Sequence, residues 1–166
     1  MRYQMKEKLW AFGDDYRIQD SEGKDVFFVD GKGFSVGKKL SFQDMQGQEL
    51  AFISQKLFSF RSTFNIYRQG QLFAEVVKEI SLFKSKFTVD VPGPNDYSVS
   101  GNFMNFEYEF ERSGKTVAHV SKKFFSWGDS YGIDIVPGED DITVLATAVV
   151  IDMVCHSKDT GHPGLM

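Results

Sequence analysis

Few side chains in this sequence could carry chemistry, and their spacing argues against most of what such residues do. The chain holds three histidines, His119, His156 and His162, and one cysteine, Cys155. A zinc site needs three or four convergent ligands. No two of these histidines have His-x-x-x-His spacing, and the adjacent Cys155 and His156 would point in different directions on a helix. Asp14-Asp15 and Glu139-Asp140-Asp141 bring carboxylates together without the pattern of an EF-hand loop, so capping and solvation account for them. Cys155 ends an apolar run, where burial raises a thiol's pKa and makes it inert. There is no Gly-x-Ser-x-Gly, and Ser59 and Ser126, which recur in matching contexts, have no recurring histidine to act as base. Glu107 and Glu109 share one face of a strand-like run and read as a solvated surface. Asp30-Gly31-Lys32-Gly33-Phe34-Ser35-Val36-Gly37 lacks the order of a phosphate loop and precedes strand-like sequence, so it reads as a hairpin turn. No catalytic set, metal or cofactor is expected.

Binding of an anionic group is the one chemistry that keeps support. Gly47 to Phe60 aligns without gaps on Gly114 to Trp127, with Gly, Ala, Ser, Lys, Phe and Ser at equal offsets. The match continues through Phe64/Tyr131 and Ile66/Ile133. Lys56 and Lys123 are equivalent in this repeat and have the strand parity of Ser54 and Ser121, opposite to Ala51/Ile53 and Ala118/Val120. With the aliphatic face buried, both lysines reach solvent near a corner. Lys84 and Lys86 share parity in another strand, Lys78 precedes them, and Arg61 follows the Phe58-Ser59 corner. Such cations suit a phosphate or headgroup; the plainer reading is solubilising or edge-guarding charge.

These residues need a scaffold, and the pattern around them is β. Seventeen phenylalanines in 166 residues favour strands and β cores. Met104 to Glu111 alternates strictly, with Met104, Phe106, Tyr108 and Phe110 on one face. Phe87 to Val91 does the same. Glycine-bearing turns at residues 20–23, 30–33, 44–47, 68–70 and 112–114 separate roughly twelve strands between Tyr3 and Val136, the spacing of a sandwich or barrel. The repeat reads as two halves of one closed sheet.

After Pro137-Gly138 and an acidic cap comes an apolar run, Ile142 to His156, in which Thr143, Thr147 and Asp152 are the polar positions before Cys155. A helix apolar all round is buried on every side or lies in a membrane. At about 1.5 Å per residue it spans roughly 21 Å, short of a ~30 Å bilayer core. Burial inside a barrel is the better reading, with a buried central strand as the local competitor. Residues 1–156 are expected as one domain and 157–166 as a flexible tail.

The net charge of −4 and pI near 5.4, without a long basic run, set nucleic acid aside as a partner. A single cysteine suits a reducing compartment, and neither a signal peptide nor an apolar span is visible. A cytoplasmic protein is expected, peripheral at a membrane if it binds headgroups.

The order of several segments resembles one known family. Lys6-Glu7-Lys8 precedes Tyr16-Arg17-Ile18-x-Asp20-x-x-Gly23 and Val26-Phe27-Phe28-Val29-Asp30-Gly31-Lys32. Gly37-Lys38-Lys39-Leu40-x-x-x-Asp44-x-x-Gly47-x-Glu49-Leu50 comes next, and the apolar helix after Pro137 closes the order. From Met1 to His156 this resembles the LURP-one-related branch of the Tubby C-terminal-like superfamily, including its small bacterial members. The resemblance implies a closed, roughly twelve-stranded antiparallel barrel around a buried C-terminal helix. Tubby proteins bind phosphoinositide headgroups through basic surface residues, but their ligand positions do not map residue by residue onto this chain. The related scramblases add a membrane segment and a calcium-binding stretch that are lacking here.

The expectation is therefore a non-enzymatic binding or scaffold domain. It recognises an anionic phospholipid headgroup, with Lys56, Lys123, Arg61, Lys84 and Lys86 as candidate residues, or a protein partner. Two alternatives stand beside it: an enzyme with a cleft at the barrel rim, and a protein–protein module using aromatics around Phe58-Ser59-Phe60 and Phe125-Ser126-Trp127.

Overall fold

Turn chemistry makes this chain an up-and-down sheet. Arg68-Gln69-Gly70-Gln71 and Arg112-Ser113-Gly114-Lys115 reverse within two residues, with φ of 52° and 75° at Gln69 and Gly70 and of 53° and 75° at Ser113 and Gly114. Positive φ at both central positions gives the twist that paired strands require. Asp20 and Asp44 set their turns differently: each Oδ1 accepts hydrogen bonds from the amides two and four residues on.

The structure, a computed structural model, describes residues 1–7, 15–31, 36–80, 84–124 and 130–156. Its strands are β1 (Arg2–Glu7), β2 (Tyr16–Asp20), β3 (Asp25–Gly31), β4 (Lys39–Asp44), β5 (Glu49–Gln55), β6 (Thr63–Arg68), β7 (Gln71–Glu79), β8 (Lys86–Asp90), β9 (Tyr97–Asn102), β10 (Glu107–Arg112), β11 (Lys115–Ser121) and β12 (Ser130–Ile135). Each pairs antiparallel with the next, and β1 pairs with β12 with Tyr3 opposite Ile133, so the sheet closes. The helix α1 (Asp141–His156) runs through it.

Closure has a visible device. The hairpins β2–β3, β4–β5, β6–β7 and β10–β11 each shift register by one residue near their turn. The residues passed over are Val26, Leu50, Phe73 and Val117, and all four pack on the core. Bulges bend a strand and increase its twist, and here they also tuck an extra apolar side chain over the barrel end. The sequence repeat is part of this pattern. Ala51 lies opposite Phe42 and Ala118 opposite Phe110, immediately after the same bulge, on strands half the ring apart.

The helix lies inside because no side of it can face water. Thr143 to Met153 is buried throughout. Its aliphatic residues meet the inward side chains of the strands, among them Ile18, Phe42, Ile53, Ile66, Val89, Phe110 and Ile133. The polar positions are provided for: the Thr147 hydroxyl donates to the Thr143 carbonyl at 2.8 Å, and the Tyr16 hydroxyl donates to Asp152 at 2.8 Å. The acidic segment stands at the start of the helix, and its carboxylates are held by side chains. The Thr143 hydroxyl donates to Asp140 Oδ2 at 2.8 Å, while Arg68 pairs with that carboxylate at 2.6 Å. Tyr3 donates to Asp141, and both Tyr97 and Arg112 donate to Glu139. Among the described residues no helix is long and apolar enough to cross a membrane. The turn expected at 30–33 is described only to Gly31, which ends β3. Its remainder, the Phe125-Ser126-Trp127 segment and the expected tail 157–166 lie outside the described residues.

Val149 is fully buried at the centre of the plug. Val149→Asp would put an unpaired charge there at a cost of several kcal/mol, comparable with the whole stability of a domain. It is expected to abolish the cooperative thermal transition, whereas Val149→Ala loses about 1–3 kcal/mol. Burial, and next the Glu139 carboxylate, push the Tyr97 hydroxyl up to about 12 from its usual 10.0. The unfolded chain releases this proton first, so the stabilisation is complete below pH 10 and is lost as pH rises through about 12. Denaturation midpoints measured across that range are expected to fall, and to fall less in Tyr97→Phe.

Candidate functional site

An up-and-down barrel sorts its residues by rim. Odd-numbered strands end, and even-numbered strands begin, at the rim where α1 ends; the opposite rim surrounds the start of α1. Among the described residues the helix-end rim carries Lys6, Lys38, Lys39, Lys56, Arg61, Lys78, Lys84, Lys86, Lys122 and Lys123, against Asp15, Asp30, Glu79 and Glu107 with described side chains. The helix-start rim reverses the balance. There Asp20, Glu22, Asp25, Asp44, Glu49, Asp90, Asp96, Glu111, Asp134 and Glu139 to Asp141 face a smaller set of Arg2, Lys24, Arg68, Arg112 and Lys115. A chain that is acidic overall thus presents one basic end.

On the basic rim an open cleft of about 620 Å³ lies between β7, β8, β9 and the end of α1. Lys78, Lys84, Ser85, Ser100 and Asn102 supply its polar wall, and Phe103, Met104, Val154 and Cys155 its apolar part. Cys155 is half-buried; burial pushes its thiol up, and Lys78 opposes that rise only in part. The thiol therefore stays protonated at neutral pH and is a poor nucleophile. Lysines, hydroxyls and an amide are groups that can hold an anion.

The β9–β10 hairpin builds one side of this cleft and corrects a sequence expectation. Met104 to Glu111 is not one strand: β10 starts at Glu107, and residues 103–106 form a turn with Phe106 at φ 52°. Tyr108 and Phe110 do face the core, but Met104 stands 65% exposed. The cause is upstream. A Cβ on Gly101 (φ 143°) would lie 2.5 Å from the Glu107 carbonyl oxygen, so only glycine lets β9 and β10 approach closely enough for so tight a reversal. The turn closes the barrel end. Phe103 is buried, its carbonyl lies 2.8 Å from His156 Nε2, and Phe106 stacks on the His156 ring at 4.1 Å, with Lys122 Nζ 4.6 Å from the Phe106 ring centre.

The family-model comparison for LURP-one-related proteins matches residues 1–152. The chain belongs to the LURP-one-related family. It is 34% identical over 155 residues to a Bacillus subtilis (strain 168) protein named "Uncharacterized protein YxjI", covering 93% of this chain and 94% of that one. Among solved structures it is similar to an Arabidopsis thaliana protein, AT5G01750, with a TM-score of 0.68 and 17% identity over 92% of this chain and 91% of that one. That likeness supports the fold.

In this LURP-one-related barrel the five cations singled out from sequence all lie at the basic rim, but they do not form one cluster. Lys56, Arg61, Lys84 and Lys86 follow one another along the arc from β5 to β8. Lys84 lines the cleft, and Lys86 lies on the outward face of β8, where Phe87 points in. Arg61 is engaged by Glu79, whose carboxyl is held below the usual range first by the Thr88 hydroxyl and then by Arg61. Lys123 is exposed in the 3-10 turn Lys122–Phe124, far around the ring from Lys56. Ser85, Ser100 and Asn102 escaped sequence reasoning because no periodicity distinguishes a polar residue at a strand end. The charge sorting could have been found by assigning alternate turns to alternate rims.

Gly101→Ala meets the β10 backbone at Glu107 and Tyr108 and is expected to cost at least about 2 kcal/mol in chemical denaturation. Substitution at Gly114, where an added Cβ meets nothing within 4 Å, is expected to cost less.

Proposed function

We propose that this protein is a non-enzymatic binding module whose basic rim receives the anionic headgroups of phospholipids. The observation that carries the reading is the sorting of charge between the two barrel ends around a filled interior. With α1 occupying the barrel, a ligand has the rims and the outer wall to bind to, and only one rim is basic. The cytoplasmic leaflet is the anionic face of a membrane, and each lysine or arginine brought near such a surface contributes about 1 kcal/mol. In this reading the protein works in the cytoplasm as a peripheral membrane protein.

Charge sorting has a plainer cause to weigh. Acidic residues at a helix start and basic residues at its end complement the helix dipole, but that effect fades within the first and last turns. Lys56, Lys86 and Lys123 are exposed beyond the barrel wall, so the dipole does not account for them.

Sedimentation with vesicles of phosphatidylcholine, with and without phosphatidylserine, tests the reading. Binding is expected only with the anionic lipid and is expected to weaken with added salt. Lys56→Glu with Lys123→Glu is expected to weaken it by at least about tenfold, since two contacts become two repulsions. Arg2→Glu with Lys115→Glu, on the other rim, is expected to leave it unchanged. Equal binding to neutral vesicles, or indifference to the lysine changes, contradicts the reading.

A further inference from the structure

The basic rim also carries the most exposed aromatic rings described. Phe58 is 106% and Phe60 94% exposed, both in the loop between β5 and β6. Val36 (78%), Ile80 (66%) and Met104 (65%) stand exposed on the neighbouring loops of the same rim. On the opposite rim the large exposed apolar residues among those described are Met1, Met45, Leu72 and Val136, none of them aromatic.

The tips are held in place by the loops that carry them. Lys56 N–H donates to the Thr63 carbonyl at 2.9 Å, closing the β5–β6 loop at its base. Within it the Ser59 and Thr63 hydroxyls lie 3.1 Å apart, and Thr63 Oγ1 donates to the Arg61 carbonyl at 2.9 Å. Phe58 itself has φ 60°, a conformation unusual for an aromatic residue. A Cβ on Gly37 would lie 3.0 Å from Leu57 Cδ2, so the β3–β4 loop, which carries Val36, packs against this one. The Arg61–Glu79 ion pair ties its other side to the end of β7, next to Ile80. Apolar tips and lysines therefore alternate along one arc.

We infer that the helix-end rim seats on an anionic bilayer with Phe58 and Phe60 inserted at the headgroup–acyl boundary and the lysines in the headgroup layer. This rests on the headgroup reading above and adds to it the depth and orientation of docking. Two features favour a bilayer over a protein surface. Val36, Phe58, Phe60 and Ile80 come from three successive loops at one end of a barrel and lie outside the cleft that Met104 lines, so a flat partner meets them together. Phenylalanine brings no polar group that would need a partner beneath the headgroups, and apolar burial combined with basic charge is the pairing that holds peripheral proteins to anionic membranes. The axis of α1 then points its C-terminal end at the bilayer.

The test compares Phe58→Ser with Phe60→Ser, together in one variant, against Met45→Ser with Leu72→Ser on the other rim, using vesicles of phosphatidylcholine and phosphatidylserine. The phenylalanine variant is expected to partition at least about tenfold more weakly, with an unchanged melting temperature, and the control to bind as the parent does. A second measurement needs no loss of binding. In a Cys155→Ser background, an environment-sensitive dye on Phe58→Cys is expected to shift to the blue when vesicles are added, and the same dye on Met45→Cys is not. If the lysine variant loses binding while the phenylalanine variant keeps it and the dye at position 58 does not shift, headgroup recognition stands and insertion is overturned. If the parent does not bind these vesicles, both are overturned.

Discussion

A helix of 16 residues without a wet face has to be enclosed on every side, and that requirement shapes this molecule. A flat or open sheet would cover one side of it and leave the rest in water. A closed ring of strands covers all of it, provided the strands bend enough to meet, and the four register shifts near the turns supply much of that bend. The same enclosure explains the polar exceptions. Tyr16 serves Asp152, Thr147 bonds within the helix, and the cage of Arg68, Tyr3, Tyr97 and Arg112 holds the three acidic residues at its start. A buried polar group without a partner would cost as much as several good apolar contacts supply.

Filling the barrel also decides where function can lie. Many β-barrels bind a ligand within; this interior is packed with aliphatic and aromatic core. What remains is the outside, and there the up-and-down topology acts as a sorting rule, because alternate turns always fall on alternate ends. Lysine-rich strand ends collect at one rim and aspartate-rich turns at the other, although along the chain the two are interleaved and no basic run exists. An overall net charge of −4 is therefore a poor guide to what this surface attracts.

Much of this was legible in the sequence. Strict alternation in residues 87–91, the glycine turns and the largely apolar run from Ile142 lead to a barrel around a helix, and the structure bears that out. The repeat was legible too, since equal offsets placed Ala51 and Ala118 at equivalent points of opposite walls. Alternation misled at Met104 and Phe106. Their apolar types fit a strand, but the close approach at Gly101 forces a reversal there, and nothing local to residues 104–106 reports it. The clustering of candidate cations was only half legible. Parity predicts that Lys56 and Lys123 reach solvent, but how far apart they stand depends on ring closure, a property of the whole chain. The capture of Arg61 by Glu79 joins a residue of the β5–β6 loop to the end of β7 and was equally invisible.

The central claim is that the interior is a closed core and recognition belongs to the helix-end rim. Amide hydrogen exchange, measured with and without anionic vesicles, tests both halves at once. Amides of residues 144–153 are expected to exchange only by global unfolding, unaffected by vesicles, while added protection appears at residues 36–39, 56–62, 78–80 and 102–106. Fast exchange within α1, or protection by vesicles confined to the opposite rim, would contradict the account.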